Sequence, residues 1–110
     1  MSEEEKPPFP PLDLADRVSS LPDAENALDH FEWLGLMTRQ SIDSVLPGDW
    51  SWEGKRLLDF GCGSGRTLRH FLDVAGEAEV FGCDIDRPSI EWLRSNLCPP
   101  LHAFTRGEDP

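Results

Sequence analysis

The sequence predicts an α/β fold with a doubly wound parallel sheet, and three observations support this class. Short apolar segments at 56–60, 80–83 and 101–105 have the length and composition of strands. The segments between them repeat apolar residues at helical spacing, and proline and glycine mark the boundaries. Strands that alternate with helices pair in parallel through right-handed crossovers.

The N-terminal region divides into a leader and a helix. Prolines crowd residues 1–22, and proline interrupts regular hydrogen bonding, so we expect an extended leader without helix or strand. From Asp23 to Leu46 there is no proline and apolar residues recur at helical spacing, which predicts one helix over 23–46. Asp23 is a suitable N-cap, and Gly35 predicts a bend or an interruption in the helix.

Residues 55–105 carry the remaining elements. The first strand has the sequence RLLDF and is apolar enough to be buried on both faces. The predicted elements are, in order, a strand from Arg56 to Phe60, a helix from about Gly65 to before Gly76, a strand at 80–83, a helix that begins at Asp86 and ends before Pro99, and a weaker strand at 101–105.

Composition and charge exclude several classes of protein. The chain has 110 residues, enough for one domain, and a formal net charge of -11 at pH 7. A chain this acidic repels a nucleic-acid backbone, and no apolar stretch approaches the roughly 20 residues that cross a bilayer. The start MSEEEKPP lacks the basic and apolar regions of a secretory signal, so we expect a cytoplasmic protein that binds neither nucleic acid nor a membrane. The three cysteines show no zinc or disulfide spacing, which predicts reduced thiols and no metal site.

Three glycines, Gly61, Gly63 and Gly65, fill the connection between the first strand and the helix predicted after it. Open parallel sheets bind ligands at this place, and glycine lets a ligand approach the main chain closely. Free amides at the start of the helix would donate hydrogen bonds to an anionic or polar group. Asp84 follows 19 residues beyond Gly65, at the end of the second strand, where a carboxylate can bind both hydroxyls of a ribose. Together these features predict a nucleoside-containing ligand.

The spacing of the glycines distinguishes between the classes of nucleoside ligand that such a loop can bind. A dinucleotide fingerprint has the pattern GxGxxG, and Arg66 stands where its last glycine belongs. A loop that binds nucleoside triphosphates has Gly-Lys-Ser or Gly-Lys-Thr after its glycines, and this loop does not. Cys62 lies between two glycines and has no assignable histidine partner, so we interpret it as a packing residue and not as a nucleophile. A structural turn without a ligand is the simpler alternative for the whole loop.

Two segments resemble a known family. The sequence LLDFGCGSGRTL, followed by VFGCDID, is similar to the first two motifs of class I methyltransferases that use S-adenosylmethionine. The resemblance implies that the three glycines line the methionine and ribose part of the cofactor, that Asp59 lies near its amino group, and that Asp84 holds the ribose hydroxyls. The cofactor-binding residues predicted on this basis are Asp59, Gly61, Cys62, Gly63, Gly65, Asp84 and Ile85.

The helix before the first strand also resembles the lead-in of many such enzymes. In these enzymes an aromatic residue four positions before a glycine packs over the methionine end of the cofactor. The corresponding residues here are Phe31 and Gly35. The family often has tyrosine at the aromatic position, and this chain contains no tyrosine.

The resemblance implies methyl transfer from S-adenosylmethionine to an unidentified acceptor, with this chain supplying the cofactor-binding half of a Rossmann-like domain. Such a displacement mainly requires alignment of donor and acceptor, so no covalent nucleophile is needed, and no catalytic residue can be assigned. We expect a small-molecule acceptor. A noncatalytic nucleoside-binding module, a truncated product and a fragment of a nicotinamide-dependent oxidoreductase stay open as alternatives.

The family resemblance also bears on the size of the domain. The complete class I fold has seven strands, and three are recognisable here. We therefore expect residues 23–110 to form the N-terminal portion of such a domain, truncated after the third strand. The first strand would then be left as an exposed apolar edge.

Overall fold

The computed structural model describes residues 6–19 and 27–107. Within these residues a parallel sheet of three strands carries three α-helices and one short 3₁₀ helix. The α/β class and the parallel pairing predicted from the sequence are confirmed. The elements are α1 (Leu12–Ser19), α2 (Ala27–Val45), β1 (Arg56–Phe60), the 3₁₀ helix (Leu68–Phe71), β2 (Glu79–Asp84), α3 (Arg87–Asn96) and β3 (His102–Thr105).

The sheet has the strand order β1-β2-β3, and Asp59 pairs with Gly82, which pairs in turn with Ala103. Both connections advance in the same direction across the sheet, so right-handed crossovers place them on the same face. The 3₁₀ helix and α3 accordingly share one buried apolar cluster with β2. The largest fully buried apolar side chains of this cluster are Leu68, Phe71, Val80, Ile90 and Leu93.

The opposite face of the sheet is open within the described residues. Leu58 and Phe60 of β1 point to this face and are 53% and 78% exposed. The prediction that β1 is buried on both faces is therefore wrong for the described part of the chain, because its helices cover one face alone. β1 is also an edge strand, as expected for a sheet that contains only the first three strands.

The prediction that residues 1–22 contain no helix is wrong, because α1 lies inside this segment. The prolines at 7–11 all precede the helix, and proline at the start of a helix removes only a donor that has no partner there. The carbonyl of Pro11 accepts hydrogen bonds from the amides of Leu14 and Ala15, both at 3.0 Å. Leu14 and Ala15 are buried, so α1 is packed onto the domain.

Helix α2 is continuous through Gly35, so the predicted interruption is wrong. A Cβ atom at Gly35 would lie 2.0 Å from the carbonyl oxygen of Arg66. The glycine therefore allows α2 to approach the loop after β1 closely, and packing is the reason for a glycine at this position. The predicted start of the helix at 23–26 lies outside the described residues, and its end at Val45 agrees with the prediction.

The helix predicted from Gly65 to Gly76 is a 3₁₀ helix at Leu68–Phe71, flanked by turns. The guanidinium of Arg39, on α2, donates a hydrogen bond to the carbonyl of His70. In an α-helix that carbonyl would accept from the amide of Val74, which instead bonds to the carbonyl of Phe71 at 3.2 Å. A contact from a distant helix thus competes with the local hydrogen bonding of an α-helix.

The last two elements agree with the prediction. Helix α3 has Asp86 at its N-cap and Pro88 in its first turn, and it ends before the two prolines that follow. Strand β3 begins at His102, one residue later than predicted. No described helix is long and apolar enough to cross a membrane.

Candidate functional site

The carboxyl ends of β1 and β2 meet at two adjacent crevices that share Gly61 and Asp84. The first, which we call the polar crevice, has a volume of about 330 Å³. The second, which we call the apolar crevice, has a volume of about 250 Å³. The polar crevice is lined by Arg17, Asp59, Gly61, Cys62, Arg66, Thr67 and Asp84. The apolar crevice is lined by Phe60, Gly61, Cys83, Asp84, Ile85 and Arg106.

The carboxylate of Asp84 is held in place by two backbone amides. The amide of Gly63 donates to Oδ2 at 2.7 Å, and the amide of Asp86 donates to Oδ1 at 2.8 Å. A carboxylate has about four lone-pair positions, so each oxygen of Asp84 can accept a further hydrogen bond. Asp84 is therefore oriented by its own chain and retains acceptor capacity toward the two crevices that it lines.

The glycine loop uses four of its own amides within the fold, and the prediction of free amides at the start of the helix is wrong for Gly65. The amides of Gly61 and Cys62 both donate to the carbonyl of Cys83, at 2.8 and 3.0 Å. The amide of Gly63 donates to Asp84, and that of Gly65 to the carbonyl of Cys62 at 3.1 Å. Buried amides require partners, and the loop finds them by folding back on the end of β2. The short 3₁₀ helix also lacks the aligned dipole of a long α-helix.

The loop depends on glycine for its conformation and for its packing. Gly61 and Gly65 have φ values of 82° and 91°, in the region that side chains with a Cβ rarely adopt. A Cβ atom at Gly65 would also lie 2.8 Å from Cδ2 of Leu93, so this glycine lets the loop pack against α3. Nothing within 4 Å would meet a Cβ atom at Gly61, which borders both crevices. Gly61 thus gives a ligand access to the main chain between them.

Asp59 contributes a second carboxylate to the polar crevice. It lies at the end of β1 on the covered face of the sheet. Burial raises the pKa of Asp59, the charge of Arg66 opposes this shift, and the charge of Asp84 adds to it. A cation bound in the crevice would stabilise the ionised carboxylate, so the surroundings of Asp59 suit an ammonium group.

Cys62 is buried between the loop and β2. Burial raises the pKa of its thiol, and the charges of Asp59 and Asp84 add to the shift. The thiol is therefore protonated at neutral pH, and its sulfur lies 3.4 Å from the carbonyl oxygen of Gly63. This agrees with the interpretation of Cys62 as a packing residue, because a nucleophilic cysteine requires a thiolate.

The predicted site residues come together around Asp84, although each contributes differently. Asp59, Gly61, Cys62 and Asp84 line the polar crevice, and Ile85 lines the apolar one. Gly63 contributes its amide to Asp84, and Gly65 contributes to packing.

Phe31, the aromatic residue predicted to pack over the methionine end of the cofactor, lines neither crevice. Phe31 is fully buried, with its ring in an edge contact with Phe9 at 6.5 Å between centroids. The guanidinium of Arg69 lies 5.9 Å from the Phe31 ring centroid. Phe31 is therefore a core residue, whereas its partner Gly35 contacts the loop at Arg66.

Sequence reasoning missed Arg17. This residue lies in the segment that we predicted to be extended, and it lines the polar crevice from α1. The pattern LDLADRV, with apolar residues three and four positions apart between the prolines, was the available signal for a helix there. Within residues 6–19 and 27–107 no group of three His, Cys, Asp or Glu side chains is placed to hold a metal ion.

A family model and two known proteins are similar in sequence to this chain. Residues 57–107 match the family model described as a methyltransferase domain. The chain is 35% identical over 94 residues to ribosomal RNA small subunit methyltransferase B of Escherichia coli, a match that covers 81% of this chain and 21% of that protein. It is 34% identical over 62 residues to an uncharacterized protein of Haemophilus influenzae, covering 56% of this chain and 23% of that one. The chain thus spans about a fifth of the length of these relatives.

A solved structure is also similar to this chain. It is that of a TehB-like SAM-dependent methyltransferase from Corynebacterium glutamicum. The two chains are 23% identical, with a TM-score of 0.43, over 74% of this chain and 43% of the other.

The matched segment contains the glycine loop, Asp84, β2, β3 and all but the first residue of β1. A glycine loop after β1, an acid at the end of β2 and parallel strands are typical of nucleoside-binding α/β proteins. Residues 57–107 therefore match a methyltransferase domain, and the resemblance to class I S-adenosylmethionine-dependent methyltransferases drawn from the two motifs is confirmed.

Proposed function

We propose that this chain supplies the cofactor-binding half of an enzyme that transfers a methyl group from S-adenosylmethionine to an acceptor. The observation that carries the proposal is the position of Asp84. Its carboxylate lies between a charged crevice and an apolar crevice, is oriented by two amides, and has acceptor capacity left. A ribose joined to a charged group on one side and to an aromatic base on the other matches this arrangement.

Each part of S-adenosylmethionine has a chemical counterpart among the residues present. Asp84 would accept hydrogen bonds from the ribose hydroxyls. Asp59, in the polar crevice, would receive the ammonium group of the methionine end. Phe60 and Ile85, in the apolar crevice, would contact the adenine. The site therefore fits the cofactor. Its contacts would come mainly from the two carboxylates and from the accessible main chain at Gly61, because the loop amides described above already have partners.

When bound, S-adenosylmethionine supplies a methyl group on a sulfonium that a nucleophile can displace in line. The residues of this chain would contribute by holding the donor in one orientation, and such positioning lowers a barrier by roughly 7 to 11 kcal/mol. Cys62 carries a protonated thiol and is not suited to covalent catalysis. The proposal assigns no base to the described residues.

We propose a small-molecule acceptor. The Escherichia coli relative is by its name a ribosomal RNA methyltransferase, but this chain carries a net charge of -11. Such a charge disfavours close contact with an RNA backbone. The three cysteines of the chain are free thiols, in keeping with an activity in the reducing cytoplasm.

Ligand-observed saturation-transfer NMR tests the proposal against its alternatives. The full chain is mixed in turn with S-adenosylhomocysteine, NAD and ATP at matched concentrations. We expect transfer to the ribose and adenine protons of S-adenosylhomocysteine alone, because the loop lacks the dinucleotide and triphosphate patterns. Transfer to NAD instead would support an oxidoreductase fragment, and no transfer to any nucleoside would contradict the proposed function.

A further inference from the structure

The structure points to Arg17 as a positioning residue of the proposed cofactor site: we infer that its ion pair with Asp86 latches α1 across the mouth of the polar crevice. The inference rests on the proposed function for its ligand. It assigns a role to a helix that neither of the two family motifs contains.

Helix α1 bridges the two loops that form the crevice. Near its start, the carbonyl of Leu14 accepts a hydrogen bond at 3.5 Å from the hydroxyl of Ser64, a fully buried residue of the glycine loop. Further along, Nη1 of Arg17 lies 2.6 Å from Oδ1 of Asp86, just after the acid of β2. Arg17 also lines the polar crevice itself, so α1 covers one side of it.

The segment before α1 has a strong anchor. The side chain of Arg69 is 1% exposed and donates hydrogen bonds to the carbonyls of Pro7 and Pro8, at 2.8 and 2.9 Å. It also donates to Glu32 at 3.1 Å, and its guanidinium lies 4.2 Å from the ring centroid of Phe9. Several charge-assisted hydrogen bonds and a cation–π contact, all made by a buried guanidinium, hold this end firmly.

The other end of α1 has a much weaker anchor. The side chains of Arg17 and Asp86 are 46% and 23% exposed. Ion pairs at this level of exposure contribute little and are screened by salt. The helix is therefore expected to open at Arg17 while the segment at Pro7 and Pro8 stays in place.

The carboxylate of Asp86 is oriented to pair with Arg17. The hydroxyl of Ser89 donates to Oδ2 of Asp86 at 2.6 Å, which leaves Oδ1 for the guanidinium. Burial disfavours the charge of Asp86, but the hydrogen bonds from Ser89 and Arg17 outweigh it and lower its pKa. The closed position of α1 is thus defined by one oriented carboxylate and one arginine.

The experiment measures the dissociation rate of S-adenosylhomocysteine from the full chain, by displacement with excess unlabelled ligand. We expect Arg17→Ala to raise this rate about three- to tenfold without changing the melting temperature, since an exposed ion pair contributes little to folding. Arg17→Lys should restore most of the slow dissociation. The matched control is Arg56→Ala, which removes an exposed arginine paired with Glu79 at 3.2 Å, away from both crevices.

Salt gives a readout that a purely structural role would not change. Raising the salt concentration to about 1 M shortens the Debye length to roughly 3 Å and should speed dissociation from the wild type, but not from Arg17→Ala. The double variant Arg17→Ala with Asp86→Asn should behave like either single variant. Dissociation that is unchanged in Arg17→Ala, or changed equally in Arg56→Ala, would overturn the inference.

The two proposals can fail separately. If the wild type does not bind S-adenosylhomocysteine, the proposed function fails, and the latch is tested by amide hydrogen exchange of the unliganded chain. Faster exchange in α1 of Arg17→Ala, with α3 unchanged, would then support a latch without a cofactor. Equal exchange in α1 of the two proteins would overturn the latch as well.

Discussion

The amide of Gly63 donates a 2.7 Å hydrogen bond to the carboxylate of Asp84, two residues that are 21 positions apart in the chain. This bond joins the glycine loop to the acid at the end of β2. It explains in physical terms why the two motifs occur together, because the loop both borders the crevice and orients the carboxylate within it. The amide of Gly63 thus orients Asp84 instead of binding a ligand directly.

Replacement of Gly35 by alanine should destabilise the fold. The new Cβ would lie 2.0 Å from the carbonyl oxygen of Arg66 and 2.7 Å from Cδ2 of His70, and a backbone carbonyl has little room to move. We expect a loss of about 1–3 kcal/mol in the free energy of unfolding, as for other overpacked positions. Urea denaturation measures this loss. Gly48→Ala is the control, because nothing lies within 4 Å of a Cβ there, and equal stability of the two variants would contradict the packing described for α2.

Ligand affinity should depend on pH through Asp59. Burial raises the pKa of the free carboxyl group, against the opposing charge of Arg66, and an ammonium group would lower the pKa in the complex. Binding should therefore release protons and strengthen as the pH rises from about 4 through the raised pKa, then level off. Calorimetric titration with S-adenosylhomocysteine in two buffers of different ionisation enthalpy detects the released protons. Asp59→Asn should bind more weakly and with no such proton release; proton release that persists in this variant would assign it to another group.

Stability should decrease on the acid side of neutrality because of His70. Burial lowers the pKa of this imidazole; Arg69 and Arg39 lower it further, and Glu32, whose Oε1 lies 2.8 Å from Nε2, opposes the shift. Above about pH 6.5 the residue is neutral in both the folded and the unfolded chain. Below that pH the unfolded chain takes up a proton first, so stability falls until the pH passes the lower pKa of the folded state.

The measurement for His70 is urea denaturation between pH 5 and pH 7.5. The free energy of unfolding of the wild type should decline below about pH 6.5. In His70→Gln that decline should be smaller, since glutamine does not titrate. Parallel curves for the two proteins would show that His70 is not responsible.

The sequence predicted those parts of the fold that local patterns determine. β1 was predicted to the residue because glycines flank a short apolar run, and α3 was predicted because Asp86 and Pro88 form a recognisable start. The 3₁₀ helix was not predicted, and its His70 carbonyl accepts a hydrogen bond from Arg39, 31 residues away in the chain, a contact that no local pattern shows. Helix α1 was not predicted, because the prolines that precede it indicate an extended segment and the apolar spacing within it covers only two turns.

In the candidate site, too, local patterns predicted some features, and contacts between distant residues determine the others. Motif spacing predicted that Asp84 and Gly61 would lie together at the ends of the strands, because parallel strands bring their carboxyl ends to one edge. The use of the loop amides by Cys83 and Asp84 is a matter of three-dimensional geometry, and no local pattern shows it. The pairing of Arg17 with Asp86 joins residues 69 positions apart and was equally out of reach.

Calorimetric titration of S-adenosylhomocysteine into the wild type and Asp84→Asn tests whether Asp84 binds the ribose of the cofactor. Asparagine keeps an acceptor for one of the two amides but loses the charge, and each hydrogen bond to a charged group contributes about 1.5–3 kcal/mol. We expect saturable binding to the wild type and affinity at least tenfold weaker in the variant, with melting curves confirming that both are folded. Asp49→Asn, which alters an exposed acid in the turn after α2, should bind like the wild type. Undiminished affinity in a folded Asp84→Asn would contradict the assignment of this carboxylate to the ribose of the cofactor.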